Sequence, residues 1–79
     1  MKAKVTVKLK NGVLDPQGKA ILNAAHSFGF NEVQDVKVGK VFYLELDSKD
    51  GKSAEAHLQE LSDKLLANTV IENFEIEVL

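Results

Sequence analysis

The sequence predicts an α+β fold with the element order β-α-β-β-α-β. Three observations carry that prediction. Apolar and polar residues alternate near both ends and through the middle of the chain. Two intervening stretches repeat their apolar residues at helical spacing. Glycine, proline, aspartate and asparagine cluster at the junctions.

Val5, Val7 and Leu9 alternate with Lys4, Thr6, Lys8 and Lys10, the pattern of a half-buried strand with a basic outer row. Asp15 is a favoured N-cap, and Pro16 suits the first helical position because its missing N–H would have had no partner there. A helix then runs to about Phe28 on an apolar stripe of Ile21, Ala24, Ala25 and Phe28, and Gly29 ends it. Gly18 falls inside the first turn. A glycine there costs roughly 0.5–1 kcal/mol against alanine, so something is expected to approach the backbone closely.

A second strand is expected over Glu32–Lys40, with Val33, Val36 and Val38, and a third over Val41–Asp47. Gly39-Lys40 between them suits a two-residue type II′ turn, which wants glycine first. "DSKDGKS" reads as a loop, and Ser53 as the N-cap of a second helix. Ala54, Leu58, Leu61 and Leu65 stripe that helix, and Asn68 stops it. Phe74, Ile76 and Val78 alternate with Asn73, Glu75 and Glu77 in a last strand. Two right-handed crossovers then place both helices on one face of an antiparallel sheet, a ferredoxin-like sandwich. The last strand lies beside the first, so the glutamate row faces the lysine row.

The 79 residues form one domain, 1–79. A chain this short buries only roughly 60–65% of its unfolded surface, and small domains usually add a disulfide, a metal or a partner subunit. Cysteine is absent, which removes disulfides, thiolate metal sites and cysteine nucleophiles. Self-association is the remaining route, to a dimer or a tetramer. Net charge is −2, and every basic residue is lysine. Without arginine's bidentate fork, nucleic acid is not an expected partner. No apolar run is long enough to span a bilayer, and the alternating amino end does not resemble a signal peptide. The chain reads as soluble and cytoplasmic.

The middle hairpin carries an inconsistency. A turn at Gly39-Lys40 pairs Val38 with Val41 and Val36 with Tyr43, all on one face. Phe42, Leu44 and Leu46 take the other face. If those three meet the helices, Val36, Val38, Val41 and Tyr43 form an apolar patch on the open face, and such a patch marks an interface. The plainer reading is a β-bulge that resets the register. We take the patch as the self-association surface.

The stretch "GVLDPQGKAI" looks at first like a phosphate loop. Gly12 and Gly18 are one residue too far apart for one, and Lys19 is followed by Ala20. Asp15 would also repel phosphate, so the stretch reads as a helix cap. His26 and His57 lack a third ligand partner in the sequence and read as helix surface residues. The serines and threonines lack a nucleophile-elbow context. The first strand lacks the aromatics by which RNA-binding sheets stack bases. No catalytic residue, metal or cofactor is assigned. A small-molecule regulatory module of the ACT kind stays open on these grounds.

"GVLDPQGKAI", the "VKVGKVFYLEL" stretch and "KLLANTVIENFEIEV" together resemble the PurS family, small subunits of phosphoribosylformylglycinamidine synthase in purine biosynthesis. The likeness covers essentially the whole chain. Its most specific parts are Asp15, Pro16 and Gly18, then Val38, Gly39 and Lys40, then Leu65 to Glu72. Thr69 stands where relatives commonly carry proline. The resemblance implies an accessory role in an ATP- and glutamine-dependent amidation of formylglycinamide ribonucleotide. It implies two further partners, a glutaminase subunit and a large synthetase subunit, between which ammonia passes. Asp15, Pro16, Gly18, Gly39 and Lys40 are the expected partner contacts.

Overall fold

The alternating run at the amino end forms β1 (Lys2–Leu9), the middle strand of a three-stranded antiparallel sheet. It lies between β2 (Lys40–Glu45) and β3 (Glu72–Val78). The computed structural model describes residues 1–47 and 51–79, Gly51 through its backbone alone; residues 48–50 of the expected "DSKDGKS" loop lie outside the described residues. α1 (Pro16–Ser27) and α2 (Gly51–Leu61) lie on one side of the sheet, in ferredoxin-like topology.

Alternation in β1 sets the two faces. Val5 stands opposite Phe42 and Ile76, and Ala3 opposite Leu44 and Val78. Ala3, Val5 and Val7 are buried against Leu58 and Ala67, with Phe42, Leu44, Leu46, Phe74 and Ile76 packed around them. The other face carries Lys2, Lys4 and Thr6, flanked by Val41 and Tyr43 on β2 and by Glu75 and Glu77 on β3. Lys4 Nζ lies 3.6 Å from Glu77 Oε2, so the lysine and glutamate rows meet as expected.

α2 begins at Gly51, so Ser53 sits inside its first turn instead of capping it. Ala54 and Leu58 point inward as expected. The stripe then shifts. Residues Ser62–Leu66 form a π-helical turn, in which the Ala67 N–H donates to the Ser62 carbonyl at 2.9 Å. The extra residue in that turn rotates the helix surface. Ser62 is buried, Leu66 is half-buried, and Leu65 turns outward to 75% exposure. Asn68 ends the helix by accepting the N–H groups of Ile71 and Glu72 on its carbonyl.

The sheet has three strands where four were expected. Residues 32–39 form no strand, and Lys40, the last residue of the expected second strand, opens β2 instead. Gly39 lacks the positive φ that the first position of a type II′ turn requires. Lys40 already stands opposite Val7 in the ladder. A Cβ on Gly39 would lie 3.0 Å from the Val7 carbonyl oxygen, so the glycine lets the chain pass close along β1. The chain therefore runs into β2 without reversing, and the hairpin pairs of Val38 with Val41 and Val36 with Tyr43 do not form within the chain. The molecule measures 50 × 24 × 14 Å. Its radius of gyration is 16.1 Å, against about 12 Å for a compact chain of this length.

Candidate functional site

The foot of α1 is a polar clasp built on Asp15. Its backbone is extended, as an N-cap requires, and its Oδ1 accepts the Gly18 N–H at 2.8 Å. Its Oδ2 accepts the Val38 N–H at 2.7 Å. One carboxylate thus caps the helix and ties down a segment 23 residues further along the chain. Those two backbone hydrogen bonds, Val38 first, hold the Asp15 carboxyl below its usual range; the Lys37 charge adds a smaller push, and desolvation opposes it.

Gly18 completes the clasp. A Cβ at this position would collide with the Val36 carbonyl oxygen and lie 2.8 Å from Asp15 Oδ2. The close approach implied by a glycine in the first turn is the Val36 backbone. The buried side of α1 is therefore its smaller side: Gly18 is buried, and Leu22 and Ala25 are half-buried. The expected stripe faces outward at its ends, with Ile21 45% and Phe28 80% exposed. At the far end of α1, His26 Nε2 donates to the Val33 carbonyl at 2.7 Å, and Gly29 leaves the helix at φ +92°. Both contacts give the segment after α1 a fixed course back along the helix. A cleft of about 450 Å³ opens between them, lined by Leu14, Pro16, Lys19, Leu22, Gln34 and Lys37.

Gly39 and Lys40 follow directly, at the end of β1. Lys40 Nζ lies 3.9 Å from Glu72 Oε2 at the start of β3. The Glu72 side chain is 12% exposed, and its Oε1 accepts the Asn68 N–H at 2.7 Å. Lys10 Nζ donates to the Thr69 carbonyl at 2.8 Å beside them. Asp15, Pro16, Gly18, Gly39 and Lys40, which the sequence singled out separately, are thus linked along one end of the sheet. Glu72 was missed as a member of this group. The sequence marked Glu72 only as the end of the Leu65–Glu72 run, with nothing to join it to Lys40. A second cleft, about 700 Å³, opens nearby between α2 and β3, lined by Lys10, Glu55, Gln59, Thr69 and Phe74 among others.

Of the four apolar residues expected on the open face, two are there: Val41 and Tyr43 are 47% and 75% exposed. Val36 and Val38 are half-buried beside α1, because the hairpin that would have brought them alongside is not made.

Comparison with known proteins matches residues 2–79 to the family described as PurS: phosphoribosylformylglycinamidine (FGAM) synthase. The phosphoribosylformylglycinamidine synthase subunit PurS of Bacillus subtilis is 49% identical over 77 residues, 98% of this chain and 90% of that protein. The corresponding subunit of Archaeoglobus fulgidus is 41% identical over 76 residues, 96% of this chain and 95% of that one. Among solved structures, B. subtilis PurS superposes with a TM-score of 0.87, covering 96% of this chain and 94% of that one. A chain in the structure of PurLQS from Thermotoga maritima superposes with a TM-score of 0.88 at 26% identity, covering 99% and 95%. Sequence, length and fold agree, and the chain belongs to the PurS family of phosphoribosylformylglycinamidine synthase subunits.

Proposed function

We propose that this chain is a non-catalytic scaffold subunit of a phosphoribosylformylglycinamidine synthase. In this reading it joins a glutaminase subunit to a large synthetase subunit and supports ammonia transfer between them. The observation that carries the reading is end-to-end agreement with PurS subunits in sequence and fold, one of them within a PurLQS structure. The chain itself supports it with surface instead of reactive groups. Leu14, Phe28, Tyr43, Leu65 and Val70 are each at least 75% exposed.

The reading includes self-association, to a dimer or a tetramer, through a surface containing Val36, Val38, Val41 and Tyr43. The partner contacts lie at Asp15, Pro16, Gly18, Gly39 and Lys40, where one carboxylate and two glycines fix two chain segments against each other. A cytoplasmic location goes with this role. Among the described residues, no helix is long and apolar enough to cross a membrane.

The test is reconstitution with the glutaminase and synthetase subunits. Omitting this chain is expected to abolish glutamine-dependent turnover and to spare turnover driven by added ammonia. Undiminished glutamine-dependent turnover without the chain would overturn the reading.

A further inference from the structure

β3 has an open outer edge with a cleft beside it. The Leu79 N–H donates to the Lys2 carbonyl at 2.9 Å, and the Lys10 N–H to the Ile71 carbonyl at 2.8 Å. Both bonds belong to the register in which Glu77 stands opposite Lys4 and Glu75 opposite Thr6. In an antiparallel ladder every second pair exchanges backbone hydrogen bonds. Asn73, Glu75 and Glu77 therefore bond to β1, and Phe74, Ile76 and Val78 turn their N–H and C=O groups outward. Among the described residues, no protein group pairs with these outward backbone groups. The open stretch from 72 to 78 is roughly 20 Å long at the usual rise per residue. An edge of that length is a template for another strand.

The two flanks of this edge limit what can pair there. On the helix side lies the cleft of about 700 Å³, between Phe74 and Ile76 on β3 and Glu55 and Gln59 on α2. Phe74 and Ile76 are half-buried, so an added strand would cover apolar surface. On the open face the edge is acidic. Glu77 has Lys4 at 3.6 Å, but Glu75 stands opposite Thr6, and among the described residues no cation pairs with it. β1 shows the chemistry that β3 accepts on its inner side. Lys4 stands opposite Glu77, and Val5 and Val7 stand opposite Ile76 and Phe74.

We propose that the outer edge of β3 receives an extended segment of one of the subunits this chain joins, a strand that alternates lysine or arginine with apolar residues. Its basic side chains face Glu75 and Glu77. Its apolar side chains cover Phe74 and Ile76 at the mouth of the cleft, and its backbone takes up the free N–H and C=O groups. The proposal rests on the scaffold reading and says where, and by what chemistry, a partner is held. A second copy of this chain suits the edge poorly. Antiparallel pairing of two β3 strands over their full length is centred on Glu75 and sets that residue against itself, and like charges directly opposite are destabilising.

The probe is the synthetic peptide KAKVTVKLK, the sequence of residues 2–10, which satisfies the inner edge of β3 within the fold. Added to the full chain, it is expected to shift the NMR signals of the Phe74, Ile76 and Val78 amides and to slow their exchange. The same peptide with glutamate at every lysine position is expected to leave them unmoved. Glu75 is exposed, so Glu75→Lys is expected to fold as the wild type does. It is expected to weaken peptide binding about tenfold, and to weaken assembly with the glutaminase and synthetase subunits by a similar factor in sedimentation. A KAKVTVKLK peptide that moves no β3 amide, or that binds no better than its glutamate version, would overturn the proposal. Slowed exchange at those amides on raising the concentration of the chain alone would also overturn it, by placing a second copy at the edge. Assembly of Glu75→Lys at wild-type strength would overturn the edge as the docking site and leave the scaffold reading standing. A wild-type chain that assembles with neither subunit would overturn both.

Discussion

The sheet with α2 and the arm from Asp15 to Gly39 are held by different physics. In the first, Val5 and Leu58 are wholly buried and cross-strand partners close the core. In the second, three polar contacts and one close backbone approach fix the course of the chain, while Leu14 and Phe28 stand 88% and 80% exposed. The first region closes its core within one chain, and its stability is hydrophobic. The second is well specified in shape and unfinished in burial. That combination is what an element does when its cover lies on another molecule.

The comparison predicts that the two regions fail separately. The largest effect belongs to the core. Leu58→Ala removes a fully buried side chain and is expected to cost about 2–5 kcal/mol, lowering the Tm by at least about 10 °C. Thermal unfolding checks it, and a fall of only one or two degrees would mean that α2 is not the main cover of β1. Gly18→Ala is next. Helix propensity alone would make it stabilising, by roughly 0.5–1 kcal/mol. The Val36 carbonyl in the way reverses the sign, at about 1–3 kcal/mol of overpacking. The loss is expected in the arm, read as faster amide exchange at Val38 and weaker association, with Leu58 still protected. A more stable Gly18→Ala protein would show that the arm is free to move off α1.

Acid tests the same clasp without changing its shape. The Asp15 carboxyl titrates below its unfolded value because it accepts the Val38 and Gly18 N–H groups. A depressed carboxyl contributes stability that is fully present above the unfolded pKa, about 3.9, and is lost as pH falls through the folded value. Amide exchange at Val38, corrected for its intrinsic pH dependence, is expected to rise below about pH 4, ahead of exchange at Val5. Asp15→Asn is expected to remove that acid step and to keep a weaker helix cap. Simultaneous loss of protection at Val5 and Val38 would mean that arm and sheet open as one unit.

Legibility divides along the same line. β1 and β3 were readable because a period of two reports burial within the chain itself, and Asp15-Pro16 was readable because capping is local. Gly18 betrayed a close approach by its cost, without saying to what. Gly39 misled: a glycine before lysine suits a turn, and only the ladder from Lys40 to Val7 shows that the chain passes straight through. Leu65 misled because a π-helical turn leaves no periodic trace. The clasp between Asp15 and Val38 joins residues 23 apart, a contact that neither spacing nor propensity encodes. The strand expected over Glu32–Lys40 is not made, and of those residues only Lys40 belongs to a strand, β2. Val33, Val36 and Val38 are spaced as strand residues are, but Asp15 takes the Val38 N–H and Gly18 lies against the Val36 carbonyl in place of a neighbouring strand.

The smallest effect concerns the paired rows on the open face. Lys4 and Glu77 lie 3.6 Å apart with side chains 35% and 62% exposed. Glu77→Gln is expected to cost about 0.2–1 kcal/mol, shrinking further in high salt as the charges are screened. The pair sits in a ladder already closed by backbone hydrogen bonds and by Val5 beneath, so its loss changes little. Thermal unfolding at low and high salt checks it, and a cost that does not change with salt would mean that the pair acts through packing and not through charge.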